Sequence, residues 1–330
     1  MGKKIKWGIL GTAHIATEHV IPAMLSCQYG EVYAIASRST EKAQNIAEQF
    51  GIPECYGSYE ELLVDKEVDA IYIPLPNHLH VQWAIKALEA DKHVLVEKPV
   101  GLSSKEAERL LQETKKYPHL KVMEAFMYRH HPQWIKVKEL VDQKAIGDIK
   151  TIQSSFSFFE DDPNSIVNSK EFGGGSLMDI GCYPISLSRL LFNSEPKSIS
   201  SVIEYHPDFK VDVSASGILE FETGTSVFFS STQLADNQQA QIFGTKGNIK
   251  FELPFNPPID RPSKIWVTVG DDCQTIEFET CNQYTIQADL FALAIINNTP
   301  VPTPLEDSVK NMIVIEKLEE SNLKGQRIPM

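Results

Sequence analysis

The chain reads as a two-domain α/β protein: a doubly wound parallel sheet first, then an α+β domain on a large, mostly antiparallel sheet. Three observations predict this. Up to residue 123, short and almost continuously apolar runs alternate with amphipathic helical stretches. That is the pattern of parallel strands buried on both faces and joined by crossover helices. From residue 124 to residue 330 the rhythm becomes β-rich and often period-two, with glycine-bearing turns such as "ETGT" and "GTKG", as in a sheet packed on one face. Finally, 330 residues exceed what a single core ordinarily fills.

In order, the strands of the first part are "IKWGIL", "VYAIAS", "DAIYIPLP", "HVLVEKP" and "LKVMEAFM". Between the last two, "SKEAERLLQETKK" places Ala107, Leu110 and Leu111 on one helical face, with Ser103 or Ser104 positioned to cap its start. After "KAIGDIKTI" come the β segments "QSSFSFF", "SASGILEFE", "TSVFFSSTQ", "GNIKFE", "KIWVTVG" and "TIEFET". "ELPFNPPIDRP" is a loop, because proline cannot donate to a ladder. Helical periodicity returns in "YTIQADLFALAIINN" and "LEDSVKNMIVIEKLEES".

Composition narrows the function. A net charge of −13 disfavours nucleic-acid and anionic-membrane partners. The five cysteines are odd in number and lack CxxC spacing, so a disulfide framework or thiolate metal site is not expected and a reducing cytoplasm fits. The opening "MGKKIKWGILG" is broken by glycines too early for a signal peptide. No window approaches the roughly 18 apolar residues of a membrane span.

Four motifs carry chemistry. "GILGTAHIA" follows the first strand, so the backbone of Gly11, Thr12, Ala13, His14 and Ile15 can cradle a pyrophosphate at a helix start. The pattern keeps its bend glycine but has Ala13 where close phosphate approach usually demands glycine. The second strand ends in "ASRST", with Ser37 and Arg38 where an acid would hold an NAD ribose. An arginine with hydroxyls suits a 2′-phosphate, which favours NADP, with NAD as the other possibility. "PLPNHLH" and "VEKPV" end two further strands on the carboxyl edge, where ligands bind. They supply Pro74, Leu75, Asn77, His80, Glu97 and Lys98 to the nicotinamide end. Lys98 follows the apolar "HVLV", so it needs a partner or a task. His78 and His80 lack an obvious third ligand, so no metal is expected.

In "GGGSLMDIGCYPI", Ser176 can cap a helix on which Asp179 and Tyr183, four apart, share a face. Asp179 is open to two readings: a capping-box partner of Ser176 or a site acid. A tyrosine beside a cationic lysine and an oxidised nicotinamide would have a lowered pKa and could pass a proton to or from a substrate oxygen. "EAFMYRHHPQ" adds Tyr128 and Arg129 at the domain junction, either as substrate contacts or as part of an interface.

With "GILGTAHIA", "ASRS", "PNHLH", "EKP", "GGGSLMDIGCY" and "EDSVKNMIVIEKLEES" in order, the chain resembles the Gfo/Idh/MocA family of NAD(P)-dependent oxidoreductases along essentially its whole length. Tyr183, rather than histidine, is similar to the dihydrodiol dehydrogenase, NADP-dependent xylose dehydrogenase and glucose–fructose oxidoreductase branch. The resemblance implies a Rossmann domain over residues 1–123 and a substrate-binding and dimerisation domain over residues 124–330. It implies Lys98 and Tyr183 as the catalytic pair, Asp179 beside them, and a sugar, polyol or vicinal diol as substrate. It also implies a homodimer or higher homo-oligomer through the open face of the second sheet. Reduction of an oxo-sugar by the same groups, or a non-catalytic dinucleotide-dependent sugar sensor, are the alternatives.

Overall fold

A computed structural model describes residues 3–330. The chain forms two compact units, Met1–Met127 with Asn282–Val309, and Tyr128–Cys281 with Lys310–Met330. The first carries a parallel sheet of β1 (Ile5–Leu10), β2 (Gly30–Ala36), β3 (Glu54–Tyr56), β4 (Ala70–Ile73), β5 (His93–Val96) and β6 (Val122–Glu124). Their order is β3-β2-β1-β4-β5-β6. The apolar runs explain it: Trp7, Ile9, Ile35, Tyr72 and Leu95 are completely buried, as strands covered on both faces require. The order reverses between β1 and β4, so a crevice opens at their carboxyl ends. Strand β3, three residues of "ECY" paired only with β2, escapes sequence reading because it is short, partly exposed and lies at the sheet edge.

The expected domain division needs correction. The helix Gln283–Ile296, assigned from sequence to the second domain, belongs to the first unit. Its Ala288, Phe291 and Ala292 share a buried cluster with Trp7 and Ile9. The Asp289 carboxylate accepts from the backbone N–H of Gln28 and Tyr29 at 3.1 and 2.9 Å. A helix this apolar on most sides gives no hint of which sheet it will cover.

The second unit holds a nine-stranded sheet of β7 (Ile149–Phe159), β8 (Ser198–Tyr205), β9 (Asp212–Glu220), β10 (Thr225–Ser231), β11 (Gln233–Gly244), β12 (Gly247–Phe251), β13 (Ser263–Val269), β14 (Asp272–Phe278) and β15 (Ile328–Pro329). The order is β14-β13-β12-β11-β7-β10-β9-β8-β15. Only β7 and β10 pair in parallel, so the sheet is mixed but mostly antiparallel. On β9, Val213, Ala215 and Leu219 point into the core while Ile218 is exposed, the alternation the sequence shows. Strands β8, β11 and β15 lie outside the β segments that the sequence predicts. β11 is "QLADNQQAQIFG", polar over most of its length, and is recruited by pairing with β7 and β12. The helical segment of residues 177–192 packs on the buried face of this sheet, against β7 and β10.

Candidate active site

In the first unit, β1 stops at Leu10 and the chain bends at Gly11, whose φ is +113°. A Cβ there would meet Leu75 Cδ2 at 3.1 Å, so the position tolerates glycine alone. The Gly11 N–H donates to Ala36 O at 2.8 Å, tying the turn to the end of β2. The helix that follows begins at His14 and runs into a wide π-type turn, Ala16–Val20, with Ala13 O accepting from the N–H of Ala16 and Thr17 at 2.9 and 3.1 Å. The first N–H groups of a helix lack partners within it and are where an anion would sit.

A cleft of about 440 Å³ gathers Gly11, Thr12, Ala13, Ser37, Arg38, Pro74 and Leu75 with Ser39, Lys42, Tyr59 and Pro76. Ser39 and Pro76 belong to the strand-end motifs of the sequence; Lys42 and Tyr59 lie outside those motifs. Ser39 accepts from Lys42 N at 3.3 Å and so starts the helix Thr40–Phe50, which fixes Lys42 in its first turn. Burial pushes the Tyr59 phenol up, and the neighbouring Arg38, hydrogen-bonded to it, offsets part of that rise. Lys42 lies four residues after Arg38, one turn into a helix, and that spacing could have found it. Two cations, hydroxyls and no carboxylate line this cleft, a donor set that suits a phosphate-bearing dinucleotide. His14 is exposed, its ring 6.2 Å from that of His19, and Ile15 packs against the core.

The loop carrying Lys98 is held from several sides. Buried Glu97 accepts from Tyr72 Oη at 2.7 Å and from Lys98 N at 3.2 Å. Glu124 accepts from Val100 N at 2.7 Å. Fully buried His80 lies between Pro99 O, 2.8 Å from Nδ1, and Leu75 O, 2.6 Å from Nε2. Burial pushes that imidazole down to about 4, although both carbonyls raise it, and a neutral ring can donate to only one of them. His80 therefore joins the two loops from behind rather than presenting itself to a ligand. Tyr284, missed because its helix was assigned to the other domain, stacks on His19 at 5.8 Å. Burial raises its phenol, Glu97 adds to that and Lys98 opposes it.

In the second unit, Asp179 lies in the π-type turn Leu177–Gly181 and Tyr183 in the α-helix Cys182–Phe192. Tyr183 is buried among Tyr128, Phe156 and Phe255, with ring centroids 5.8, 5.5 and 5.4 Å away. Arg129 donates to Ser186 Oγ from Nε at 3.0 Å and Nη2 at 2.7 Å. These donors occupy the serine lone pairs, so its hydroxyl is left to donate to Tyr128 Oη, 2.7 Å away. Tyr128 and Arg129 thus converge one turn beyond Tyr183, and Tyr128 has no exposed surface. The expected Ser176 cap is not made: no side chain of that residue caps the helix, and its hydroxyl donates to Ser230 Oγ at 2.7 Å. Among the described residues no three metal-ligating side chains are grouped.

Comparison with known proteins gives this geometry its class. Residues 5–126 match the oxidoreductase family with an NAD-binding Rossmann fold, and residues 134–250 match the Gfo/Idh/MocA C-terminal domain. The chain belongs to the Gfo/Idh/MocA oxidoreductase family. It is 42% identical to an uncharacterized oxidoreductase of Rhizobium meliloti, over 97% of this chain and 98% of that one. It is 35% identical to an NADP-dependent D-xylose 1-dehydrogenase of Haloferax volcanii, over 98% and 99% of the two. Among solved structures it is similar to a 3-ketoreductase from Actinomadura kijaniata in complex with NADP and TDP-benzene. That match has a TM-score of 0.89 at 30% identity and covers 97% of this chain and 98% of that one.

Proposed function

We propose that this protein is an NADP(H)-dependent oxidoreductase that moves hydride between the nicotinamide and a carbon of a sugar, polyol or vicinal diol. The observation that carries the reading is the carboxylate-free cleft of Ser37, Arg38, Ser39 and Lys42 beside the Gly11 turn. The backbone of residues 11–15 would hold the pyrophosphate and the two cations the 2′-phosphate. Asn77, Glu97 and Lys98 would border the nicotinamide end, with His80 shaping that border from behind. Bound there, the coenzyme supplies the hydride acceptor or donor.

The rest falls to the chain. Tyr183 exchanges a proton with the reacting oxygen, Lys98 lowers the phenol pKa through its charge, and Asp179 orients the substrate or the pair. Arg129 stands at the substrate side, and Tyr128 supports the Tyr183 ring. Acid–base help of this kind is worth on the order of 10²–10⁴ in rate. Tyr183→Phe should therefore collapse turnover and leave NADPH binding unchanged, read at the nicotinamide absorbance with a panel of aldoses, polyols and diols. Wild-type turnover in that variant would overturn the role of Tyr183. The ketoreductase neighbour favours a second reading, in which the same groups reduce an oxo-sugar. Steady NADPH oxidation by oxo-sugars, with none of the panel reducing NADP, would select it.

One further feature belongs to this reading. The open face of the second sheet exposes Val202, Ile218, Val227 and Phe229 to 73, 48, 41 and 37%, around a shallow cavity of about 590 Å³. A second copy of this chain would cover it as a homodimer.

A further inference from the structure

The helix that carries Asp179 and Tyr183 begins without help from its own sequence, and its missing cap comes from elsewhere in the fold. Asp212, the first residue of β9, is buried at 6% exposure. Its Oδ2 accepts from Leu177 N at 2.7 Å, and its carboxylate also takes a backbone hydrogen bond from Ser176. Gly175, with φ +113°, leads into the helix, and a Cβ there would collide with Asp212 Oδ1. The glycine is thus the space into which the carboxylate fits. A negative charge at a helix N-terminus is well placed electrostatically, but burying it is costly. An uncharged side chain would fill the same volume at less cost.

We infer that Asp212 is a positioning residue for the reaction: from β9 it sets the first turn of the helix, and with it where Asp179 and Tyr183 stand. The inference rests on the Tyr183 reading above. The rest of the helix is fixed as well. Buried Arg189, near its far end, binds Glu195 through Nε at 2.6 Å and Asn311 through Nη1 at 3.2 Å, and Asn311 Nδ2 donates to Cys182 O, midway along, at 3.2 Å. Ser176 and Ser188 also bond Ser230 and Ser226 of β10 at 2.7 Å each. A helix fixed at so many points can rotate only if its first turn is released, and Asp212 holds that turn.

Burial raises the Asp212 carboxyl to about 6, with Glu319 adding to the rise and the backbone donors of Leu177 and Ser176 opposing it. The groups facing it are Glu319 from the C-terminal helix and Tyr205 from β8, both themselves raised by burial, with Lys170 opposite Glu319. Asp212 is therefore ionised near neutrality and loses its charge, weakening its hold on the two N–H groups, as pH falls through about 6.

The test uses the full-length protein with NADP and whichever aldose of the panel turns over fastest. Asp212→Asn keeps the shape and removes the charge. It should lower kcat on the order of tenfold to a hundredfold, the scale of a small misplacement of a reacting group. The KM for NADP should be unchanged, the wild-type fall in kcat below about pH 6 should disappear, and amide hydrogen exchange over residues 176–181 should speed up in the NADP-bound protein. Wild-type kcat with the acid limb intact would overturn the role of Asp212 while leaving that of Tyr183 standing. If Tyr183→Phe retains turnover, or if no aldose, polyol or diol reduces NADP and no oxo-sugar oxidises NADPH, the parent reading fails and this one with it. Should the Asn variant not fold, Asp212→Glu replaces it: the charge stays, one methylene out of place, and an undiminished kcat there overturns the inference.

Discussion

In the proposed reading, Arg38 and Lys42 would hold the 2′-phosphate on different terms. Arg38 offers a planar fork of donors and shares Tyr59 as a neighbour, whereas Lys42 brings a point charge on a helix turn fixed by Ser39. A hydrogen bond to a charged group is worth about 1.5–3 kcal/mol, so Arg38→Ala should raise the KM for NADP roughly tenfold to a hundredfold and leave that for NAD little changed. Lys42→Ala should move the same ratio by less. Equal losses for both coenzymes would place the two residues outside 2′-phosphate recognition. Arg38 was legible from its place at the end of a strand, and Lys42 from its spacing one turn further on.

Elements are where local and distant causes separate. The helix Ser104–Thr114 starts as its sequence foretells, with Ser103 Oγ accepting from Glu106 N at 3.2 Å. Losing such a cap costs about 1 kcal/mol, so Ser103→Ala should shift the urea midpoint accordingly without touching kcat. The helix of Tyr183 is the opposite case. Ser176 stands where a cap is expected, yet the strand β9 supplies the acceptor, because Ser230 is close enough to take the serine hydroxyl. A residue 36 positions from Asp212 looks self-sufficient in sequence, and nothing in its neighbourhood announces the partner.

For the whole molecule, pH stability is set by buried groups that cannot meet their charge. Burial and the neighbouring Arg129 push His130 down to about 4, and its Nε2 has no hydrogen-bond partner. Below about 6.5 the unfolded chain takes a proton there that the native chain refuses. Stability is thus lost as pH falls from about 6.5 towards 4, by about 3 kcal/mol for a group so deeply buried. Asp212 acts in the other sense. Its carboxyl is raised to about 6, so its contribution is present in acid and is lost as pH rises through that value. His130→Asn should flatten the acid limb of a denaturation-against-pH series, and Asp212→Asn should steepen it. No change in either slope would show that these groups titrate as they do in the unfolded chain. On the same scale, the homodimer proposed above predicts that Val202→Glu, on the open face, sediments as a single chain without unfolding.

The sequence by itself determined the strand-and-helix alternation, the fold class, the glycine turn, Arg38 and the candidates Lys98, Asp179 and Tyr183. Each of these follows from periodicity or from a residue type at a strand end, and such signals are local. The tertiary structure decided which sheet the helix Gln283–Ile296 covers, that polar β11 becomes a strand, that His80 faces two carbonyls, and that Asp212 caps a helix 35 positions upstream at Leu177. Those outcomes depend on distant segments meeting, and hydrogen bonds and burial between them are fixed by packing rather than by neighbours along the chain.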